Sequence, residues 1–220
     1  MPIPDGWAQP EDFASLFQYL WHRDFPLGQG AVGARRADWT IHIGLVVRSI
    51  GDLMGLVTRF ESGGRKDALL RSADGDEVAI EWEWGRGWQR SELPKLKEHK
   101  VFSPSADSGN LLKYAVLVAY CESKELSQVI HDASSAWSTA KWPLLLILVD
   151  SASSRQFSSG RIFGNLNFFL ISIDGQHKKI REAPAYPWSV GSTRWQVGML
   201  WNQPIEIRRL LEKRNPNSED

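Results

Sequence analysis

Two glutamates inside a strand-like run are the first residues whose type and spacing could do chemistry. In residues 78–84, Val78, Ile80, Trp82 and Trp84 alternate with Ala79, Glu81 and Glu83. Period-two alternation is the pattern of a β-strand with one face on a core. It places both carboxylates on the other face, about 6.6 Å apart at a rise of roughly 3.3 Å per residue. Glutamate is depleted in strands and like charges on one face repel, so this face is either fully hydrated or shares a cation. Asp67, in the preceding apolar run, supplies a third carboxylate. It joins the pair if the hairpin sets it opposite Glu81 or Glu83, and points away if it sits opposite Trp82. Three hard oxygen donors in that arrangement suit Mg²⁺ or Mn²⁺.

The elements that must position these groups can be read on either side of them. Ile43, Val46, Val47, Ile50, Leu53, Met54 and Val57 recur at three- and four-residue spacing, which predicts a helix from Asp38 as N-cap to about Phe60, stopped by Ser62, Gly63 and Gly64. Residues 65–71 and 78–84 read as two strands around Asp74-Gly75. A short helix at Glu92–Glu98 follows, then a strand at 111–120, a helix at Lys124–Trp137 and a buried strand at Leu144–Val149. Phe168–Ile173 is a further strand ended by Asp174-Gly175. Towards the N-terminus an amphipathic helix lies around Glu11–Trp21, and towards the C-terminus a helix is expected over Pro204–Arg214, after the ambiguous residues 189–201. Ser151–Gly160 reads as a polar loop. This order predicts an α/β fold with a mixed central sheet flanked by helices, in a single domain of residues 1–220 with its core at about 38–150 and a flexible tail at 215–220.

Asp67 on one strand, in the run Lys66-Asp67-Ala68-Leu69-Leu70, and Glu81-Trp82-Glu83 on the next resemble the PD-(D/E)XK nuclease superfamily, over roughly residues 38–120. That motif sets an Asp beside a (Asp/Glu)-X-Lys tripeptide on the neighbouring strand. Here Glu83 stands at the lysine position, a Glu-X-Glu variant. The resemblance implies a restriction-endonuclease-like core and a metal-dependent endonuclease acting on nucleic acid, DNA in the first place, in a restriction or defence role. A catalytically inactive module of the same fold, binding nucleic acid or a protein partner, is the alternative. It further implies Asp67 and Glu81 as ligands of Mg²⁺ or Mn²⁺, and Glu83 as a second-site ligand or the group that orients and deprotonates water. Glu61, at the end of the long helix, would be a fourth acid, and Lys95 or Lys97 would supply the ammonium group that stabilises charge on phosphate. Cutting both strands would call for a homodimer. A solvated acidic strand face is the bland alternative to all of this.

Composition sets outer bounds. The 26 basic and 26 acidic residues balance, which gives no global footprint for a polyanion. Single Cys121 excludes an internal disulfide or a cysteine-built zinc site, and reads as a core residue. No stretch has the build of a secretory signal and no apolar run reaches the roughly 20 residues of a membrane span, so a cytoplasmic protein is expected. Gly28, Gly30 and Gly33 mimic a dinucleotide loop, but no strand precedes them. Arg86, Arg90, Lys95, Lys97 and Lys100 could meet phosphates, although a solvated helix face is the commoner use of such charge. The run His177–Arg181 reads as a surface turn. Trp82, Trp84 and Trp88 could stack on bases, but the first two fall on the apolar face. Asp150 and Ser151 with His131 lack the elbow motif of a hydrolase triad.

Overall fold

The computed structural model describes residues 9–25, 36–62, 66–73, 75–84, 88–100, 112–151 and 163–186. The glycine-rich stretch at 27–33, most of the 151–160 loop, Arg86, residues 189–201, the expected helix at 204–214 and the tail lie outside these.

Helix α1 (Pro10–Arg23) starts with proline at its first position and a reciprocal cap between Gln9 and Asp12, which satisfies amide donors that have no helical partner. Its Phe13, Phe17, Leu20 and Trp21 form one buried stripe. Helix α2 (Arg36–Leu53) buries Trp39, Ile43, Val46, Val47 and Ile50. It ends well short of Phe60. Gly55 takes a left-handed φ of 68°, and the Leu56 amide donates to the Gly51 carbonyl at 2.8 Å, the six-to-one bond of a glycine-terminated helix. The β-branched and aromatic residues that follow then form a strand, β1 (Val57–Ser62). Helical spacing carried through Val57 only because Val57 happens to fall in phase.

The remaining elements are β2 (Lys66–Ser72), β3 (Gly75–Glu83), α3 (Trp88–Lys97), β4 (Tyr114–Glu122), a 3-10 turn (Ser123–Glu125), α4 (Leu126–Trp137), β5 (Leu144–Ser151), β6 (Asn165–Ile171) and β7 (His177–Pro184). They form a seven-stranded sheet in the order β1-β2-β3-β4-β5-β6-β7. β3, β4 and β5 run parallel, and the outer neighbours pair antiparallel. The α/β class with a mixed, helix-flanked sheet is as the sequence indicates. The basic run at 177–181 is not a turn. It is edge strand β7, whose outward lysines discourage pairing with another sheet; the turn is formed by Asp174 and Gly175, with Gly175 at φ 81°.

Helices α1 and α2 cover one sheet face through Ala68, Leu70, Val78, Ile80, Val116, Val118, Ile147 and Phe168. Helices α3 and α4 cover the other through Leu69, Ala79, Leu117, Leu146 and Leu148. Covered on both sides, β4 and β5 are apolar at nearly every position, as central parallel strands must be. Among the described residues no helix is long and apolar enough to cross a membrane.

His42 sits in the aromatic packing between α1 and α2, with ring centroids 4.8 Å from Trp21, 5.9 Å from Trp39 and 6.2 Å from Phe25. Burial pushes its pKa down to about 4, because the charged imidazolium loses its water. The unfolded chain takes up this proton near pH 6.5 and the folded chain does not. His42 therefore withdraws stability as pH falls from 6.5 to about 4, by about 3 kcal/mol in full. His22, also lowered by burial, acts in the same direction. Chemical denaturation of the wild type and His42→Phe over this range should show a shallower acid slope in the variant; equal slopes would disprove the buried neutral imidazole.

Candidate functional site

The register of β2 against β3 decides whether the acidic residues meet. Near the turn the pairs are Ser72↔Gly75 and Arg71↔Asp76. Continued without interruption, that register would set Asp67 opposite Ile80 and turn its side chain to the α1–α2 face. A bulge between Leu70 and Arg71 shifts the pairing to Leu70↔Val78, Leu69↔Ala79 and Ala68↔Ile80. One step further, Asp67 stands abreast of Glu81, and both point to the α3 side. A bulge re-aims every side chain beyond it, and here it creates the site.

Asp67 Oδ2 accepts the Trp82 amide at 2.7 Å. Glu81 is 1% exposed and interacts electrostatically with the neighbouring Asp67 carboxylate. Burial, then the neighbouring Asp67 charge, push the Glu81 pKa up to about 8. Burial also raises Asp67. Two carboxyl groups so close and so dry cannot both ionise cheaply, so near neutral pH the pair retains a proton. Glu81 Oε1 is buried without a hydrogen-bond partner, a costly state for a polar atom.

Helix α3 brings two more charges. Lys95 Nζ donates to Glu92 Oε2 at 2.6 Å, with Glu92 buried and Lys95 partly exposed. Both act electrostatically on Asp67 and Glu81. The Lys66 ammonium, buried and lowered by that burial, feels Glu81, Lys95 and Glu92. Sequence reading missed Lys66 and Glu92. The three-residue spacing of Glu92 and Lys95 on one helix face was the available signal.

Of the expected residues, Asp67, Glu81 and Lys95 come together. Glu83 follows Glu81 on the same face, half-buried, abreast of Ala119. Glu61 is not a helix-end residue. It lies on β1 between the pairs Phe60↔Ala68 and Ser62↔Lys66, exposed and at φ 48°, and adds negative potential at Asp67. Among the described residues no three His, Cys, Asp or Glu side chains are grouped to hold one ion. Asp67 and Glu81 alone still fit a hard cation by donor type, since Mg²⁺ takes one or two carboxylates and keeps several waters, and the orphaned Glu81 oxygen is a ligand without a partner.

The remaining candidates are structural. Trp82 packs against the α1–α2 core and Trp84 lies within it. Trp88 is buried on the other face and donates to the Tyr120 carbonyl at 3.3 Å. Lys97 caps the Ala136 carbonyl at 2.7 Å, and Arg90 and Lys100 are exposed. Asp150 receives the Asn165 amide, the Asn167 side chain at 2.9 Å and the Ser123 hydroxyl, while His131 is exposed, so no triad forms. Burial pushes the Cys121 thiol up to about 12, which leaves no thiolate for nucleophilic attack.

No family model matches the chain. No curated protein matches it either. Among solved structures it is similar to a carbon–nitrogen hydrolase from Helicobacter pylori G27, with TM-score 0.33, 8% identity and 68% of this chain covered. The match spans 65% of that protein's length. A likeness this slight transfers neither fold nor chemistry. The resemblance drawn from the hairpin is withdrawn, since no family model supports a PD-(D/E)XK nuclease. The local chemistry agrees: Glu83 occupies the place of the motif lysine, and Lys95 is already tied to Glu92. The nuclease activity, the restriction or defence role and the inactive nuclease-fold module are set aside.

With a folded pKa raised above the unfolded value of about 4.5, Glu81 contributes stability that is complete below that value and is lost as pH rises towards 8. Glu81→Gln keeps the side chain's size and removes the ionisation. Its stability should fall less steeply between pH 4.5 and 8, by up to about 1.4 kcal/mol per pH unit relative to wild type. Parallel profiles would show that Glu81 ionises freely in the folded chain.

Proposed function

We propose that Asp67 and Glu81 are the ligands of a divalent-cation-dependent hydrolytic centre, with Mg²⁺ or Mn²⁺ taking the place of the proton the pair retains. The observation that supports this reading most is the buried, partnerless Glu81 Oε1 beside a second carboxylate in register. A divalent ion held there supplies a bound water of lowered pKa. Asp67 keeps one oxygen fixed by the Trp82 amide and would offer the other to the ion. Glu83, half-buried on the same face, would orient that water and accept its proton. Lys95, held by Glu92, would bring an ammonium group to bear on charge that develops on the substrate.

Because the pair is partly protonated near neutrality, binding the ion must expel a proton. Titration with Mn²⁺ at pH 7 in buffers of different ionisation heat should show release approaching one proton per ion. Millimolar Mn²⁺ should also raise the melting temperature, and Glu81→Gln should abolish both effects. No heat and no thermal shift in the wild type would overturn the cation site.

A further inference from the structure

Five of the seven large apolar side chains exposed among the described residues belong to α2 and β1. Ile41 is 62%, Leu45 55% and Phe60 43% exposed. Ile41 and Leu45 stand one turn apart on the outer stripe of α2. The Phe60 ring lies 4.0 Å from where a Cβ would stand on Gly44, between them in the chain, so the three side chains border one patch at the edge of the sheet. The two edge strands differ in how they meet water. β7 exposes Lys178, Lys179 and Arg181, charges that keep an edge from pairing. β1, at the other end of the strand order, exposes Val57 and Phe60, with one basic and one acidic residue, Arg59 and Glu61.

We propose that this patch is the interface of a two-fold homodimer, in which β1 pairs antiparallel with β1 of a second copy. Residues opposite one another in such a pair share a sheet face, so the axis passes opposite a residue rather than between two. An axis at Arg59 or Glu61 would set like charges against each other. An axis at Val57, Thr58 or Ser62 would carry Phe60 past the end of the partner's β1. An axis at Phe60 sets the two Phe60 rings together on one face, and Arg59 against the partner's Glu61 on the other. That register is complementary in charge and shape. Helix spacing agrees with it. A Cβ on Gly51 would crowd both Thr58 of β1 and Leu70 of β2, so α2 lies over that pair of strands. With strands about 4.8 Å apart, the two copies of α2 would run antiparallel at about 10 Å, a distance at which helices pack. Since Gly44 stands beside Phe60, the same axis brings Ile41 and Leu45 of one helix to the partner's Leu45 and Ile41. Glu61 takes a left-handed φ of 48°, which ends the regular edge just past the axis. The ladder is therefore short, and the helices supply most of the contact. Because β7 is guarded, each chain offers one open edge, and association closes at two copies.

Analytical ultracentrifugation of the full chain at micromolar concentration and low salt should give twice the mass of one chain. Leu45→Asp, at an exposed position, should give a monomer with unchanged far-ultraviolet circular dichroism. Arg59→Glu and Glu61→Arg each turn two attractions across the axis into repulsions, and each should weaken association about tenfold. Salt should erase much of that difference. Mixing these two variants restores both opposite-charge contacts, so the mixture should form heterodimers with the affinity of the wild type. This result is peculiar to self-pairing in the Phe60 register. Association that survives Leu45→Asp, or charge variants that gain nothing on mixing, would overturn the proposal. A monomeric wild type would overturn it too. If Leu45→Asp then also lowered the melting temperature, another segment of the same chain would be the occupant of the patch.

Discussion

Two carboxyl groups set side by side in a dry part of the sheet are the constraint around which the rest of this site is arranged. Asp67 and Glu81 stand abreast on neighbouring strands, and Glu81 is almost wholly withdrawn from water. Ionising both there would bring like charges together where water cannot screen them. The chain meets this with a retained proton, with the Trp82 amide on Asp67, and with the Glu92–Lys95 pair laid over the strands by α3. Each device lowers the cost of one ionisation state without abolishing the other. A site poised in this way changes its charge when a proton or ion arrives, and that is the property an acid–base centre requires.

The surrounding fold supplies stiffness. Beyond the site, β3 is flanked by β4 in parallel register from Val78↔Tyr114 to Glu83↔Ala119, and the far side of Glu81's strand is sealed by Val78, Ile80 and Trp84 among the aromatic residues of α1 and α2. Trp39, Trp84 and Phe163 lie within 4.6–5.9 Å of one another by ring centroid. Such packing fixes the strand's height and rotation to within the small tolerance of a close-packed interior. The position of Glu81 is therefore set by apolar contacts on the opposite face of the strand.

What could be read from the residues follows from which physical signals are local. Alternation in 78–84 is a two-residue signal, so the division between the tryptophan face and the glutamate face was legible, as were the buried strand at Leu144–Val149 and the helix ending at Trp137. The register was not, because it depends on a one-residue bulge at Leu70/Arg71, and the sequence left both outcomes open. The end of α2 was obscured because Val57 continued the helical phase across the Gly55 stop. β7 was hidden since an exposed edge strand carries no apolar alternation. Lys66 and Glu92 escaped notice because their importance lies in burial, which a charged residue does not advertise in one sequence. The family resemblance rested on a short acidic pattern that arises easily by chance, and it failed for that reason.

Energetics argue that the acid pair is not there for the fold. A buried charged or hydrogen-bonded polar pair generally contributes less stability than apolar side chains of the same volume, and Ala79 and Leu69, the next residues inward on the same face, show that this surface accommodates apolar side chains. Replacing Asp67 and Glu81 by leucine-sized groups would remove the unsatisfied Glu81 oxygen and the proton linkage together. Where a local structure departs from what packing alone favours, the departure marks a site of use. The same reasoning separates this cluster from the Asp150 network. There every carboxylate oxygen is taken up by Ser123, Asn165 or Asn167, and a Cβ at Gly164 would come within 2.3 Å of it. Asp150 is a finished structural tie with no room for a ligand. The acid pair differs in that Glu81 Oε1 is buried without a hydrogen-bond partner.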